Sequence, residues 1–392
     1  MIESEFPSLR GRSYLDWAAV GVPPLRSIGA IRSLLDAYEA SPELVASMSS
    51  QDEAKSAARL QLGPLLGCSP GHLVFTGTST TSAVQAAVDS IPMSKGENVV
   101  VLDIDFPLAH AEAYRLRAKG VEVRVVRNRD GDYDIDQFYE VIDRRTRAVI
   151  VSSVIWVNGL RLDVEELAKV VHEAESYLLV DAIQQAGALR PRGLEKADFV
   201  AFGTQKWLLA PFGLGGMCVS DRAVEELKPP RPGYSGAPVK DWDSYWLDPA
   251  KGPFYVEPYR NDAPLKFEYG GSMSPIPLRA AAASASLINE VGIENVETKI
   301  MRLRKALIEE LEDMNVDLIS PPESSKASGI ILFRVGEKPR DCMDAARRLR
   351  ARNVIVSARG AAGVWGIRAS VHFPNEEENV IALTEAIKEV TS

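Results

Sequence analysis

The chain has 392 residues, beyond the roughly 250–300 at which a single core stops growing, so two domains are expected. Apolar residues make up 46% and charged residues 25%, an ordinary soluble composition. The net charge of −9 is spread without acidic or basic blocks and offers no hold for nucleic acid or an anionic membrane surface. Cys68, Cys218 and Cys342 are far apart, odd in number and at no disulfide or metal spacing. Four histidines, none paired at ligand spacing, argue against a catalytic zinc. The opening MIESEFPSLRGRSYLDWAAV has no apolar run of signal-peptide length, and no stretch reaches the ~18 apolar residues that span a bilayer. These readings together predict a cytoplasmic protein.

In chain order, Tyr14-Leu15-Asp16-Trp17-Ala18-Ala19 opens the ordered part. Helices are expected over residues 23–66, with apolar spacings of three and four through Ile28–Tyr38 and Ala54–Leu66, divided at Pro42. His72 to Phe75 reads as a strand running into Thr76-Gly77-Thr78-Ser79-Thr80, then a helix to about Asp89. A helix N-terminus presents free N–H groups to an anion, so Thr78, Ser79 and Thr80 read as a phosphate cradle; a plain N-cap is the competing reading. Asn98–Ile104 is a buried strand, and Phe106 follows at its carboxyl end, where its ring either stacks on a flat cofactor or fills the core. Further strands are expected at Gly120–Arg127 and Ala148–Val154, with a helix marked by Tyr133 to Ile142 between them. Asp163 then caps a helix over Val164–Ala174. This alternation implies a mainly parallel sheet with right-handed crossovers, and no Gly-x-Gly-x-x-Gly follows any strand.

Two residues carry the chemistry. Tyr177 to Asp181 is an apolar run ending in an acid, which in a parallel sheet sits at a strand's carboxyl end, where ligands bind. Twenty-five residues on, Lys206 lies between the strand Phe199–Phe202 and the apolar Trp207-Leu208-Leu209, ahead of the glycine-rich run 213–216. Burial disfavours the ammonium, and a lysine neutral part of the time is a nucleophile toward a carbonyl; a lysine that snorkels to solvent is the competing reading. Pyridoxal phosphate needs such a lysine for its aldehyde and an acid for its ring nitrogen.

Val-Asp-x-x-Gln (180–184) and Thr-Gln-Lys-Trp (204–207) at this separation resemble the class V aminotransferase family of fold-type I enzymes, from about Tyr14 to Asn375. Cysteine desulfurases, kynureninases and isopenicillin N epimerase belong to that family. The resemblance implies an α/β fold. A large cofactor-binding domain, 15–265, has a mainly parallel, seven-stranded-type sheet; a smaller α+β domain combines 1–14 with 266–392. It implies pyridoxal 5′-phosphate on Lys206, Asp181 at the ring nitrogen, Gln184 at the phenolic oxygen, and Thr204 within reach of the phosphate. Ser153 stands where many members have an asparagine, and Phe106 and Gln205 where desulfurases have histidines. Trp17 replaces an asparagine near the substrate. Lys266-Phe267-Glu268-Tyr269-Gly270-Gly271-Ser272 resembles the Phe-Glu-x-Gly-Thr segment that reaches the phosphate of the neighbouring subunit, here through Gly271 or Ser272. Arg368, in Arg-x-Ser before an aromatic and Asn375, would fork onto the substrate's α-carboxylate, with Arg359 also on the substrate side; a solvent-facing strand arginine is the competing reading. His372 reads as structural.

The family also implies an amino-acid substrate and a homodimer with shared sites. The aromatic, Pro-rich segment 229–265 reads as a loop over the site and at the dimer interface. Transamination is the default reaction. Epimerisation and C–S or C–C lysis are alternatives. Desulfuration is disfavoured because the expected loop 359–366 has no cysteine. A catalytically silent cofactor-binding or sensor protein is the alternative of another class.

Overall fold

The computed structural model describes residues 2–230, 247, 263–268, 271, 273–314, 316–322 and 324–391. A short β1 (Ser13–Tyr14) precedes α1 (Leu25–Ala40), α2 (Pro42–Val45) and α3 (Met48–Leu66). Strands and helices then alternate through β2 (Leu73–Gly77), α4 (Thr80–Ser90), β3 (Asn98–Leu102), α5 (Pro107–Arg117), β4 (Glu122–Val126), α6 (Ile135–Val141), β5 (Thr146–Ser152), α7 (Val164–Glu173) and β6 (Tyr177–Asp181). β7 (Phe199–Gly203), β8 (Gly215–Val219) and α8 (Asp221–Glu226) follow.

These strands make a seven-stranded sheet in the order β2-β8-β7-β6-β5-β3-β4, in which β8 alone runs antiparallel to its neighbours. β3, β5, β6, β7 and β8 are buried at nearly every position, as parallel strands covered on both faces must be. Alternate residues feed two cores: Val99, Val101, Ile150, Leu179 and Phe199 enter one, Val100, Leu102, Val151, Val180 and Phe202 the other. Local signals agree with this packing. Asp163 accepts Glu166 N–H at 3.0 Å at the start of α7, whose buried Val164, Leu167, Ala168, Val170 and Val171 repeat at the helical period.

The C-terminal part contains α9 (Pro275–Val291), α10 (Ile293–Asp313), β9 (Asp317–Leu318), β10 (Ile330–Arg334) and α11 (Pro339–Arg350). β11 (Val354–Ile355), β12 (Ser357–Ala361), β13 (Val364–Ser370) and α12 (Glu377–Thr391) complete it. A four-stranded antiparallel sheet has the order β12-β13-β10-β9, and β11 pairs in parallel with β1. The chain from Val354 to Ala361 is thus divided at Val356 between two sheets. The stretch 359–366, expected as a loop, is a tight hairpin. Its turn residues Ala362 (φ 42°) and Gly363 (φ 89°) are both left-handed, as a two-residue turn matching strand twist requires.

The cysteines correct another expectation. Cys68 and Cys218, 150 residues apart in sequence, form a disulfide with their Cα atoms 6.3 Å apart. The β2–β8 ladder sets Leu73 against Cys218 and brings the strand alongside the end of α3, a proximity that spacing in sequence does not reveal. The odd count conceals one pair and one buried free thiol, Cys342. Segment 229–265 lies outside the described residues except at its ends and at Leu247. Among the described residues, no helix is long and apolar enough to cross a membrane.

The turn Pro264–Phe267 is held against α3 and β2 by one buried carboxylate. Glu268 bonds Lys55 Nζ at 3.0 Å, the Arg59 guanidinium, and Phe75 N–H at 3.2 Å. Removing one member of a buried pair leaves the other charges uncompensated. Glu268→Ala is accordingly expected to lower the unfolding free energy by about 3–5 kcal/mol, read from chemical denaturation; an unchanged midpoint would show the cluster to be dispensable.

Candidate active site

Parallel pairing brings the carboxyl ends of β3, β5, β6 and β7 into one row, with Ser152 opposite Asp181 and Asp181 opposite Ala201. Asp181 is buried, its Oδ1 accepting Ile183 N–H at 2.9 Å. Lys206 follows β7 in a tight turn: Leu209 N–H donates to the Lys206 carbonyl, and Leu209 (φ 59°) takes a left-handed conformation unusual for its side chain. Gly21 packs on this turn so closely that a Cβ would lie 2.0 Å from the Lys206 carbonyl oxygen, and its N–H donates to Gln205 O at 2.8 Å. Only glycine allows the N-terminal segment to clamp the lysine there.

Burial pushes the Asp181 carboxyl well above the usual carboxylate range and pulls the Lys206 amine below that of a free lysine; each charge partly offsets the other's desolvation. Nearby Asp105 adds to the rise on Asp181. Lys206 Nζ stands 5.6 Å from the centre of the Phe106 ring, which Trp156 meets edge-on at 5.7 Å. Lys206 is half-buried, with its amine by that ring and in the field of the buried Asp181 and Arg368.

Thr78, Ser79 and Thr80 stand where β2 turns into α4. Thr78 is exposed and Thr80 buried. Ser79 is the N-cap, in a reciprocal capping box with Ser82 at 3.4 Å each way, so its cap role is occupied while α4 still points its first N–H groups outward. Gly215 lets this turn lie on β8: a Cβ would meet the Ser79 carbonyl carbon at 2.2 Å. Gly203 lies over the same turn, 2.6 Å from Thr80 Oγ1 measured from an added Cβ. Thr204 does not join it. Its hydroxyl lies 3.3 Å from both the Pro211 and Leu214 carbonyls and braces the lysine loop.

The second sheet supplies Arg368, which is 2% exposed, so the solvent-facing reading is wrong. Its Nη1 donates to Trp156 O at 2.8 Å and its Nη2 pairs with Asp16 at 3.3 Å. Burial lowers its pKa to about 10, leaving the guanidinium charged at neutral pH. Arg359 is half-buried on β12, with Nη1 donating to Ala358 O at 2.9 Å.

Trp17 turns away. Its ring is fully buried edge-on to Phe6, Tyr14 and His372, and its Nε1 donates to Asn375 Oδ1 at 2.7 Å. The side chain that replaces the smaller asparagine is a core residue joining the chain's two ends, not a substrate contact. Gln184 is also deep: its Oε1 accepts from Trp207 Nε1 at 2.7 Å and its Nε2 donates to Ala18 O at 3.1 Å, which leaves one amide hydrogen for a ligand. Gly271 is half-buried; Ser272 lies outside the described residues.

Sequence reasoning passed over two acids. Asp105 is buried and accepts from Ser152 N–H (2.8 Å), Ser152 Oγ (2.5 Å) and Phe106 N–H (2.6 Å), so it ties β3 to β5 and fixes the start of the Phe106 turn. The signal was blurred, because Asp103 already breaks the apolar run of Val99–Leu102 before Asp105 is reached. Asp16 holds both Arg368 and Ser357 Oγ. Thr80 Oγ1, Ser153 Oγ, Gln205 Oε1 and Arg368 Nε are buried and have no protein hydrogen-bond partner, which suits a site built for a polar ligand.

The family model described as Aminotransferase class-V matches residues 13–383. A probable cysteine desulfurase of Methanothermobacter thermautotrophicus is 27% identical over 413 residues, covering 99% of this chain and 97% of that protein. A kynureninase of Bacillus anthracis is 24% identical over 99% of this chain and 91% of that protein. The solved apo cysteine desulfurase of Thermococcus onnurineus NA1 shares the fold at TM-score 0.84 and 21% identity, over 100% of this chain and 97% of that one.

His372 behind the lysine loop gives a test of the packing. Its Nε2 lies 3.0 Å from Trp207 O, and burial lowers its pKa to about 3. Between pH about 6.5 and about 3 the unfolded chain binds a proton here that the folded one refuses, so stability falls as pH falls through that window. Denaturant titrations across it should show a shallower acid slope for His372→Gln than for the wild type; equal slopes would mean the ring titrates normally in the fold.

Proposed function

This chain belongs to the class-V aminotransferase family, and we propose on that footing that it binds pyridoxal 5′-phosphate through Lys206 and transfers amino groups between an amino acid and a 2-keto acid. The family's cofactor supplies an aldehyde that bonds the lysine amine and a ring that withdraws electrons from Cα. One observation carries the reading. Lys206 and Asp181 lie in each other's field at the carboxyl ends of adjacent parallel strands, and Arg368 and Arg359 from the other sheet act on the same lysine.

The residues present fit the group. Lys206, its amine brought down by burial, bonds the aldehyde and afterwards moves a proton at Cα. Asp181, raised by burial, is an acid able to share a proton with the ring nitrogen. Phe106 offers a flat face beside Nζ. The unpartnered Thr80 hydroxyl, with Thr78 and Ser79 at the start of α4, suits the phosphate, and Gln184's remaining amide hydrogen suits the phenolic oxygen. The unpartnered Nε of Arg368 leaves part of its fork for the substrate's α-carboxylate. The family's homodimer, with the 266–272 segment serving a neighbouring site, belongs to the same reading.

The choice of transamination is supported by what surrounds the lysine. All four histidines are engaged elsewhere, with Val219 O, Leu102 O, Asp198 and Trp207 O. Among the described residues, Lys206 is the group whose amine is tuned toward neutrality beside the ring, and one base that takes a proton from Cα and would deliver it on the same face to the cofactor's aldehyde-derived carbon suffices for amino transfer. Epimerisation needs a second base opposite. A cysteine-borne sulfur relay is opposed by the thiols: Cys68 and Cys218 are joined, and Cys342 is buried with Sγ on Val335 O.

The decisive experiment is the absorbance spectrum of the purified protein before and after borohydride, with peptide mapping, then with amino acids and 2-keto acids. A visible band trapped on Lys206, converted by an amino acid to the aminated cofactor and restored by a keto acid, is the expected result. No band after adding the cofactor would sink the cofactor assignment. Exchange or inversion at Cα without the aminated form would replace transamination with epimerisation, and release of a Cβ or Cγ fragment would replace it with lysis. Lys206→Ala should remove the trapped adduct and lower turnover by about 10²–10⁴-fold.

A further inference from the structure

We propose that Arg359 receives the distal carboxylate of the substrate, so that the site selects amino dicarboxylic acids and their keto acids over neutral ones. The inference rests on the amino-transfer reading and specifies the substrate class for that same site.

The β12–β13 hairpin supplies the geometry. Ser357 stands opposite Arg368 across the ladder, and Arg359 opposite Gly366. Opposed side chains share a face, and so do residues two apart on one strand, so Ser357, Arg359 and Arg368 project from the same face. That face looks onto Asp16, which takes both the Ser357 hydroxyl and an Arg368 nitrogen. Arg359 is the diagonal neighbour of Arg368, roughly 7–8 Å away at the backbone, within which two long side chains converge on a short dicarboxylate.

The two arginines differ in their partners. Arg368 has Asp16 and a carbonyl; Arg359 has the carbonyl of its own neighbour, and among the described residues no carboxylate pairs with it. A half-buried guanidinium with spare donors is best satisfied by an anion arriving with the ligand. Its positive field bears on both Lys206 and Arg368, in keeping with the shared face that the ladder gives it. The adjacent hairpin turn, with only Ala362 and Gly363 at its tip, brings in no further charge of its own.

The test uses the holoenzyme. Calorimetry would compare binding of glutarate and butyrate, and steady-state assays would compare glutamate with alanine, for wild type, Arg359→Gln and Arg359→Lys. The wild type is expected to favour the dicarboxylate by roughly tenfold or more in both measurements. Arg359→Gln should collapse both ratios, and Arg359→Lys should restore part of them. No preference in the wild type would overturn the inference. So would a fall in which Arg359→Gln weakens butyrate and glutarate equally, since that would assign Arg359 to the α-carboxylate. If Lys206 forms no borohydride-trapped adduct, the cofactor reading itself fails; an adduct without dicarboxylate preference removes this inference alone.

Discussion

A buried carboxylate and a half-buried amine in each other's field are the constraint around which this protein is built. Lys206 and Asp181 occupy the carboxyl ends of neighbouring strands in a sheet covered on both faces, where neither would keep its charge alone. Each offsets part of the other's desolvation, and the result is an acid and an amine whose proton affinities have moved toward each other. A solvent-exposed pair would show no such convergence, because water would screen it. The parallel sheet is therefore part of the chemistry: it aligns the strand ends and excludes the solvent that would restore ordinary ionisation.

Around that pair, the chain closes a ring between its two ends. The segment 13–21 pairs with β11, lends Asp16 to Arg368, passes Trp17 to Asn375 and sets Gly21 on the Lys206 turn. The side of the site that holds Arg368 is consequently assembled from residues near positions 16, 156 and 368. Its arginine is held in place by an acid and a backbone carbonyl that come from different parts of the fold. Buried arginine is tolerated because those partners compensate its charge, while its Nε is buried without a hydrogen-bond partner.

The β12–β13 hairpin is short, turning over Ala362 and Gly363. Neither tip residue is a cysteine; Cys68 and Cys218 are joined to each other, and Cys342 is buried. What the hairpin does present, on the face it shares with Arg368, is a second guanidinium, that of Arg359.

The strands that lead to Asp181 and Lys206 were legible from residue pattern alone, because burial on both faces demands apolar runs and polar groups gather where such a run stops. Asp181 ends β6, Lys206 and the hydroxyl turn follow β7 and β2 within a few residues, and Arg368, inside β13, was found by its family motif instead. Sequence was silent or wrong wherever the answer depended on which way a side chain turns or on a partner more than a hundred residues away. The Trp17 ring entered the core because Asn375 and His372 wait there, the Thr204 hydroxyl was taken by its own loop, and Cys68 met Cys218 through strand pairing. Local pattern determines which elements form and where their ends lie, since those depend on near neighbours and burial. Only tertiary packing decides which of two available partners a polar group takes, because that choice is set by distance in space.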